Sequence, residues 1–327
     1  MKAIFNKLNE SINLIDIGCS GEPPSQWKLI EGKLKYIGFD PNKEECARLS
    51  AIPNSFESSL FLPYAIAGYT GRANMHVTSS LYCTSLLKPD YKWLDRFEFA
   101  DYFSLKSIEE INVTTLDNIG ELKEIDIDII KCDSQGLELE ILKSAKKSLG
   151  NAIYVETESG FHPNYINEST QAEVDIFMRQ NGFILFDLLQ LRMPLNNKFK
   201  EHARAKAQLL WCECKWIKDL ITIDQNNEFE KLNLNRAKAI KYLLICAING
   251  VYDYGYEYAR IFNKHKLIDD DELKYLSEIE NWKLANSNKV NGNKNKRTAI
   301  SKVKSLVKKL LKKNINLSSA LLKSMSN

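Results

Sequence analysis

At 327 residues and 44% apolar, the chain is long enough for one large domain, or one domain with a smaller appendage, around a sizeable core. No apolar run approaches the ~20 residues that a membrane-spanning helix needs, and the N-terminus carries no signal-peptide pattern. The net charge of +3 conceals an uneven spread: residues 281–327 hold twelve of the 45 basic residues and no acid, so residues 1–280 carry 33 bases against 42 acids.

Ile12 to Ile17 is an apolar run that ends on glycines at Gly18 and Gly21. It reads as a buried parallel strand, with glycines that let the backbone turn and approach a ligand closely. Residues 24–31 follow two prolines and read as a short helix. Tyr36 to Phe39 is a second strand, ending on Asp40. An acid there, roughly 20 residues after the first strand, accepts hydrogen bonds from a ribose diol, so the arrangement suits an adenosine. The pattern Asp16-x-Gly18-x-x-Gly21 lacks the G-x-G-x-x-G spacing of dinucleotide sites, and a carboxylate at Asp16 suits no pyrophosphate. S-adenosylmethionine (SAM) has an amino group and no phosphate, and fits better. The plainer alternative is the glycine turn of any α/β fold.

Pro41-Asn42 leads into a helix over 42–50. Ser59 to Ala67 reads as a third strand, and 68–77 as a hairpin or strand extension. Residues 79–106 mix Tyr82, Tyr91, Trp93, Phe97, Phe99, Tyr102 and Phe103 with polar residues at no clear period. They form either a lid facing a substrate or a loop pinned to the core. Strands follow at 111–115, 125–132 and 152–156, with a helix over 137–149 between the last two. A helix over 170–181 stops at Asn181-Gly182, and two late strands cover 183–189 and 208–214. This alternation predicts a parallel sheet covered on both faces, with an antiparallel edge from the late pair.

After Ile217, residues 234–248, 251–264 and 270–284 read as helices of an appendage over 219–284. Residues 285–297 are an Asn/Lys-rich linker. Residues 298–327 form a basic amphipathic tail, which lies on an anionic membrane surface, docks on the acidic body or a partner, or meets nucleic acid. Lacking aromatics, it is a poor nucleic-acid reader. Seven cysteines without C-x-x-C indicate a reduced, cytoplasmic protein. Cys212 and Cys214 alternate on one strand face and read as packing rather than as a metal or redox pair.

Several of these stretches together resemble the FkbM family of SAM-dependent methyltransferases. Asp16-Ile-Gly-Cys-Ser-Gly21 is similar to that family's first motif and Gly38-Phe-Asp-Pro-Asn42 to its second. Tyr64 to Gly71 resembles the segment after the third strand, and Val113-Thr-Thr-Leu-Asp117 the Thr-Leu-Asp signature. The strongest similarity is Asp128 to Lys143, which resembles the Ile-Lys-x-Asp-x-x-Gly-x-Glu-x-x-x-Leu block. The resemblance is clear over about 12–190, weaker to about 280 and absent in the tail. Two departures stand out: the last glycine of the first motif sits one residue early, before Glu22, and Cys132 replaces an aliphatic residue. The resemblance implies a Rossmann-like class I methyltransferase sheet over 1–218 and SAM as cofactor. It implies O-methylation of a hydroxyl on a sugar, glycan or related natural product. With the tail, it suggests an acceptor at the inner membrane face.

In that setting Asp16 and the amides of Gly18, Cys19, Ser20 and Gly21 hold the amino-acid end of SAM, while Asp40, with Pro41 and Asn42, takes the ribose. The alternatives are a buried acid paired within the sheet for Asp16 and a turn cap for Asp40. Asp133 ends the fourth main strand, and either orients the acceptor or takes its proton, or else N-caps the following helix. Glu156 and Glu158 close the fifth strand and face the substrate. His162 follows on a rim loop, as a base or as a structural histidine. Asp133 with Glu156 or Glu158 makes a weak metal site without a suitably spaced histidine, and no metal is expected. Two other classes compete: a non-catalytic scaffold that kept the fold, and a nicotinamide oxidoreductase.

Overall fold

The computed structural model describes residues 8–270 except 22, 24 and 203–205. The third appendage helix, save its first residue, the linker and the basic tail fall outside the described residues. Among the described residues ten strands form: β1 (Ile12–Ile17), β2 (Leu34–Phe39), β3 (Ser58–Leu62), β4 (Ala65–Ile66), β5 (Gly71–Thr78), β6 (Leu105–Thr114), β7 (Ile129–Cys132), β8 (Tyr154–Gly160), β9 (Phe183–Met193) and β10 (Gln208–Lys218). Seven make one sheet in the order β3-β2-β1-β7-β8-β10-β9.

The first five strands of that order run parallel, as the apolar runs of β1 and β2 and the alternation of strands with helices predict. β10 is antiparallel to both of its neighbours. The antiparallel strand therefore sits one place in from the edge, and β9, the edge strand, runs with the parallel set. β9 is laid down after a crossover helix, and β10 then returns between β8 and β9. The order reverses at β1, where β2 leaves on one side and β7 on the other. The crevice at the strands' carboxyl ends opens there, which is where open α/β sheets bind ligands.

The expected helix over 137–149 is two helices. They are α3 (Glu138–Ser144) and α4 (Lys146–Asn151), after α1 (Lys43–Ser50) and α2 (Tyr91–Leu94). Ala145 between them has ψ 47° and leaves the helical region. The cause lies in Asp117, whose carboxylate accepts from the Lys147 and Ser148 amides at 2.8 and 3.1 Å and starts a new helix there. The short helix at 24–31 is a 3₁₀ segment, Ser25–Lys33, kinked at Ile30, with Trp27 and Ile30 buried.

The third predicted strand divides. Its first part joins the main sheet, and β4 pairs with β6 in a second sheet completed by the antiparallel β5–β6 pair. The aromatic stretch joins β5 to β6. Trp93, Leu94, Phe97 and Phe103 bury themselves with Tyr165 and Leu210 in a satellite core. This is a connection pinned by its aromatics.

α5 (Gln171–Gln180) and α6 (Leu220–Gln225) precede α7 (Arg236–Ile248) and α8 (Tyr252–Lys264). Every residue of α7 from Lys238 to Ala247 is buried. Lys238 and Lys241, three apart and so on one helix face, both reach Asp128 at the foot of the sheet, at 2.7 and 3.0 Å. The Tyr258 hydroxyl of α8 donates to the Lys218 carbonyl. These helices belong to the same compact unit as the sheet.

Candidate functional site

Strand register builds the site. Asp16 lies beside Lys131, Lys131 beside Glu156, Glu156 beside Lys215, and Lys215 beside Asp187. Residues in register point to one face, so five strands carry a row of charges that alternate in sign. Lys131 Nζ is 2.9 Å from Asp16 Oδ1. Burial opposes the Lys131 charge, but Asp16, Asp133 and Glu156 around it prevail and hold the ammonium above the ordinary lysine range. Lys131 was passed over in the sequence, although a charge inside an apolar strand was the visible signal.

Two residues toward the carboxyl ends lies a second row of Asp133, Glu158 and Glu213, with Glu158 and Glu213 directly paired. Among the described residues no cation forms an ion pair with any of the three. Burial first, then Asp133 beside it, push the Glu158 carboxyl well above the usual range. That shift favours the protonated form of Glu158, which hydrogen-bonds to Asp133. Asp133 is not a helix cap. The first turn of α3 has no side-chain cap from Asp133; instead the Glu138 carboxylate accepts from Ser134 N at 2.7 Å and from Gly136 N at 3.1 Å. The Asp133 carboxyl lies beside Glu158, with Oδ1 accepting from Gln135 Nε2 at 2.8 Å.

Glu156 belongs to the alternating row, where Gln26 Nε2 and the Tyr154 hydroxyl donate to it. His162 is exposed; its ring stacks on Trp93 at 3.8 Å and Nδ1 lies 3.2 Å from the Pro163 carbonyl. None of its described contacts is with the acid row.

On the adenosine side, Asp40 ends β2. Its Oδ1 accepts from the Asn42 amide at 2.8 Å, and Oδ2 has no described partner. A ribose diol fits that free oxygen. The turn after β1 departs from expectation. The Gly18 and Cys19 amides both donate to the Phe39 carbonyl, at 2.9 and 3.1 Å. The Gly21 amide and Ser20 hydroxyl go to Glu45, at 3.2 and 3.3 Å, and Arg48 holds that carboxyl down at about 2. Asp16 is 3% exposed, with Lys131 and, at 2.5 Å, the Tyr36 hydroxyl on its oxygens. The paired-acid reading of Asp16 is the one seen. Cys19 packs against Gly38, Asn42 caps α1 by accepting from Glu45 N, and Pro41 is exposed. Gly18 has φ +78°, and a Cβ there would sit 1.9 Å from the Asp133 carbonyl. Only glycine lets β1 and the acid-bearing turn after β7 approach so closely.

The buried Glu138 and the partly buried Glu168 brace the loops beyond β7 and β8. Glu138 holds the 133–136 turn. Glu168 Oε2 accepts from the Asn164 and Tyr165 amides at 2.6 and 2.9 Å. Burial raises each carboxyl to about 7. A carboxyl raised on folding stabilises fully below its unfolded pKa, here 4.5, and that contribution is lost as pH rises through about 7. Glu168→Gln should therefore gain stability relative to wild type by roughly 3 kcal/mol between pH 4.5 and pH 8. Urea unfolding of both proteins across that range checks this; a constant difference would refute it.

Cys212 and Cys214 are buried, with sulfurs 3.4 Å apart. Among the described residues no group of three or more His, Cys, Asp or Glu is arranged to hold a metal ion, and no helix is long and apolar enough to cross a membrane.

Comparison with known proteins matches residues 25–185 to the methyltransferase FkbM domain. No curated protein matches the chain. Solved structures that overlap it include the magnesium protoporphyrin IX methyltransferase of Synechocystis PCC 6803 with bound SAM. That pair is 11% identical with a TM-score of 0.34, covering 66% of this chain and 75% of the other. Another is a SAM-dependent methyltransferase of Methanosarcina mazei, 12% identical with a TM-score of 0.30, covering 67% of this chain and 97% of the other. These overlaps are slight, and nothing below rests on them.

Proposed function

This chain carries a methyltransferase FkbM domain over residues 25–185 and is a SAM-dependent methyltransferase; we propose that its acceptor is a hydroxyl of a sugar or glycan. The observation that carries this reading is the acid row of Asp133, Glu158 and Glu213, at the end of the sheet where the parallel strands β7 and β8 finish, bordered by aromatic rings. Trp211, two residues before Glu213, lies on the same strand face, with Phe99 edge-on to it at 5.7 Å. Carboxylates accept hydrogen bonds from hydroxyls, and aromatic faces pack against apolar ring faces, so the two together suit a polyhydroxylated ring.

Bound SAM supplies a methyl group on a sulfonium, whose departure needs no acid. The chain's task is to align the acceptor and take its proton. Asp40 holds the ribose. Asp133 takes the hydroxyl proton as the new oxygen–carbon bond forms, and Glu158, shifted toward its protonated form, hydrogen-bonds to Asp133. Glu213 orients neighbouring hydroxyls. The exposed His162 on its aromatic shelf is the second candidate base.

The test is transfer of labelled methyl from SAM to a panel of monosaccharides, oligosaccharides, hydroxylated natural products, tRNA and peptides. Label is expected on a sugar oxygen. Label on RNA or peptide nitrogen alone would sink the acceptor assignment, and failure to bind SAM at all would favour a non-catalytic binding protein.

A further inference from the structure

We propose that Gln135 is a positioning residue for methyl transfer, holding the Asp133 carboxylate toward the acceptor from a backbone conformation that glutamine rarely adopts. The proposal rests on the reading of Asp133 as the group that meets the acceptor hydroxyl.

Gln135 has φ 58°, in the left-handed region, followed by Gly136 at φ 101°. Side chains other than glycine and asparagine are uncommon there, and such positions persist where surrounding contacts enforce them. Every polar part of Gln135 except its amide N–H has a described contact. Its Nε2 donates to Asp133 Oδ1 at 2.8 Å. Its Oε1 lies 3.0 Å from the Tyr165 hydroxyl oxygen, which is also 3.0 Å from the Cys83 carbonyl, so the one hydroxyl proton is shared between two acceptors. Its own carbonyl accepts from Ser85 Oγ at 2.7 Å. Tyr165 and Ser85 are 2% and 3% exposed. One comes from the loop after β8 and the other from the aromatic connection, so two distant segments converge on this side chain.

The turn itself does not need the glutamine side chain. Glu138 already gathers the Ser134 and Gly136 amides, and glycine would relieve the backbone at position 135. What glycine would lose is the N–H on Asp133. With Oδ1 held by that donor, the carboxylate cannot swing freely, and Oδ2 remains for the acceptor proton. Asp133 Oδ1 accepts from the NH₂ end of the glutamine amide, and the Tyr165 hydroxyl meets its oxygen. A loop residue held in strain by two buried partners thus sets the direction of a carboxylate it neighbours.

The experiment uses the full-length chain and the acceptor of highest turnover in the panel above. Gln135→Gly is expected to leave the thermal midpoint equal or higher and SAM affinity unchanged. Its kcat should fall by ~10–100-fold with KM little altered, the loss of one hydrogen bond to a charged group. Gln135→Glu keeps the size but presents an oxygen to Asp133, and should be at least as slow. A Gln135→Gly enzyme with wild-type kcat, or one whose kcat falls only as its folded fraction falls, overturns the proposal. Combination with Asp133→Asn gives the final arm. If Asp133→Asn is slow and adding Gln135→Gly slows it no further, the glutamine acts through Asp133. If the two losses multiply, or if Asp133→Asn is slow while Gln135→Gly is fast, the positioning proposal alone fails. Wild-type turnover by Asp133→Asn overturns the assignment of Asp133 itself, and this proposal with it.

Discussion

Asp133→Asn is expected to lower kcat by about 10²–10⁴-fold, the usual worth of a positioned general base, while SAM still raises the unfolding midpoint. Asparagine keeps the shape but cannot take a proton. The effect should be asymmetric across the pair. Glu158 is pushed up by burial and by Asp133, toward its protonated form. Glu158→Gln therefore resembles the working state and should cost roughly tenfold, about the weakening of one hydrogen bond. His162→Ala, removing an exposed ring stacked on Trp93, should change kcat less than either. Steady-state rates for the three variants, with SAM binding measured alongside, decide the matter. Equal collapse of Asp133→Asn and Glu158→Gln would mean that the acid pair acts only as a unit. Collapse of His162→Ala alone would move the base to the rim loop.

Asp128→Ala is expected to destabilise the fold by about 3–5 kcal/mol, because it removes the buried carboxylate that Lys238 and Lys241 share and leaves them, among the described residues, only the exposed Asp126, at 2.9 Å, and Glu10, at 3.8 Å. Asp128 is fully buried, and Lys238 and Lys241 are 7% and 3% exposed. It also accepts from the Asn13 amide at 2.9 Å, so the change opens the foot of β1 as well. Against a typical total of about 5–15 kcal/mol, such a loss leaves little folded protein at physiological temperature. Urea unfolding followed by circular dichroism measures it. Replacing all three charges together, as Asp128→Leu with Lys238→Met and Lys241→Met, should recover much of the loss, since a buried ion cluster is often no more stable than apolar residues of like volume. If the single variant unfolds near the wild-type midpoint, the cluster is not what joins α7 to the sheet.

Much of this architecture was legible before any coordinates. Apolar runs ending on Gly18, Asp40 and Asp133 announce buried parallel strands, because a strand covered on both faces has no polar side to show. The strand ends then name the neighbourhood of the site. Asp117 was visible only as part of a signature; its work in breaking the 137–149 helix depends on a contact 30 residues away, which local periodicity cannot express.

What the sequence by itself determined, then, is which segments are strands and helices and which residues stand at their ends. Both follow from short-range patterning of apolar and turn-forming residues. What only the tertiary structure decided is which of those ends face one another. Lys131 meets Asp16 across 115 residues of chain. The insertion of β10 between β8 and β9 brings Glu213 to Glu158. The same register neutralises Glu156 within an alternating row and leaves Asp133 and Glu158 without an ion pair among the described residues. Register is a long-range property, and a shift of one residue would turn each of these side chains to the opposite face. The division between structural and chemical acids therefore arises only when the sheet closes.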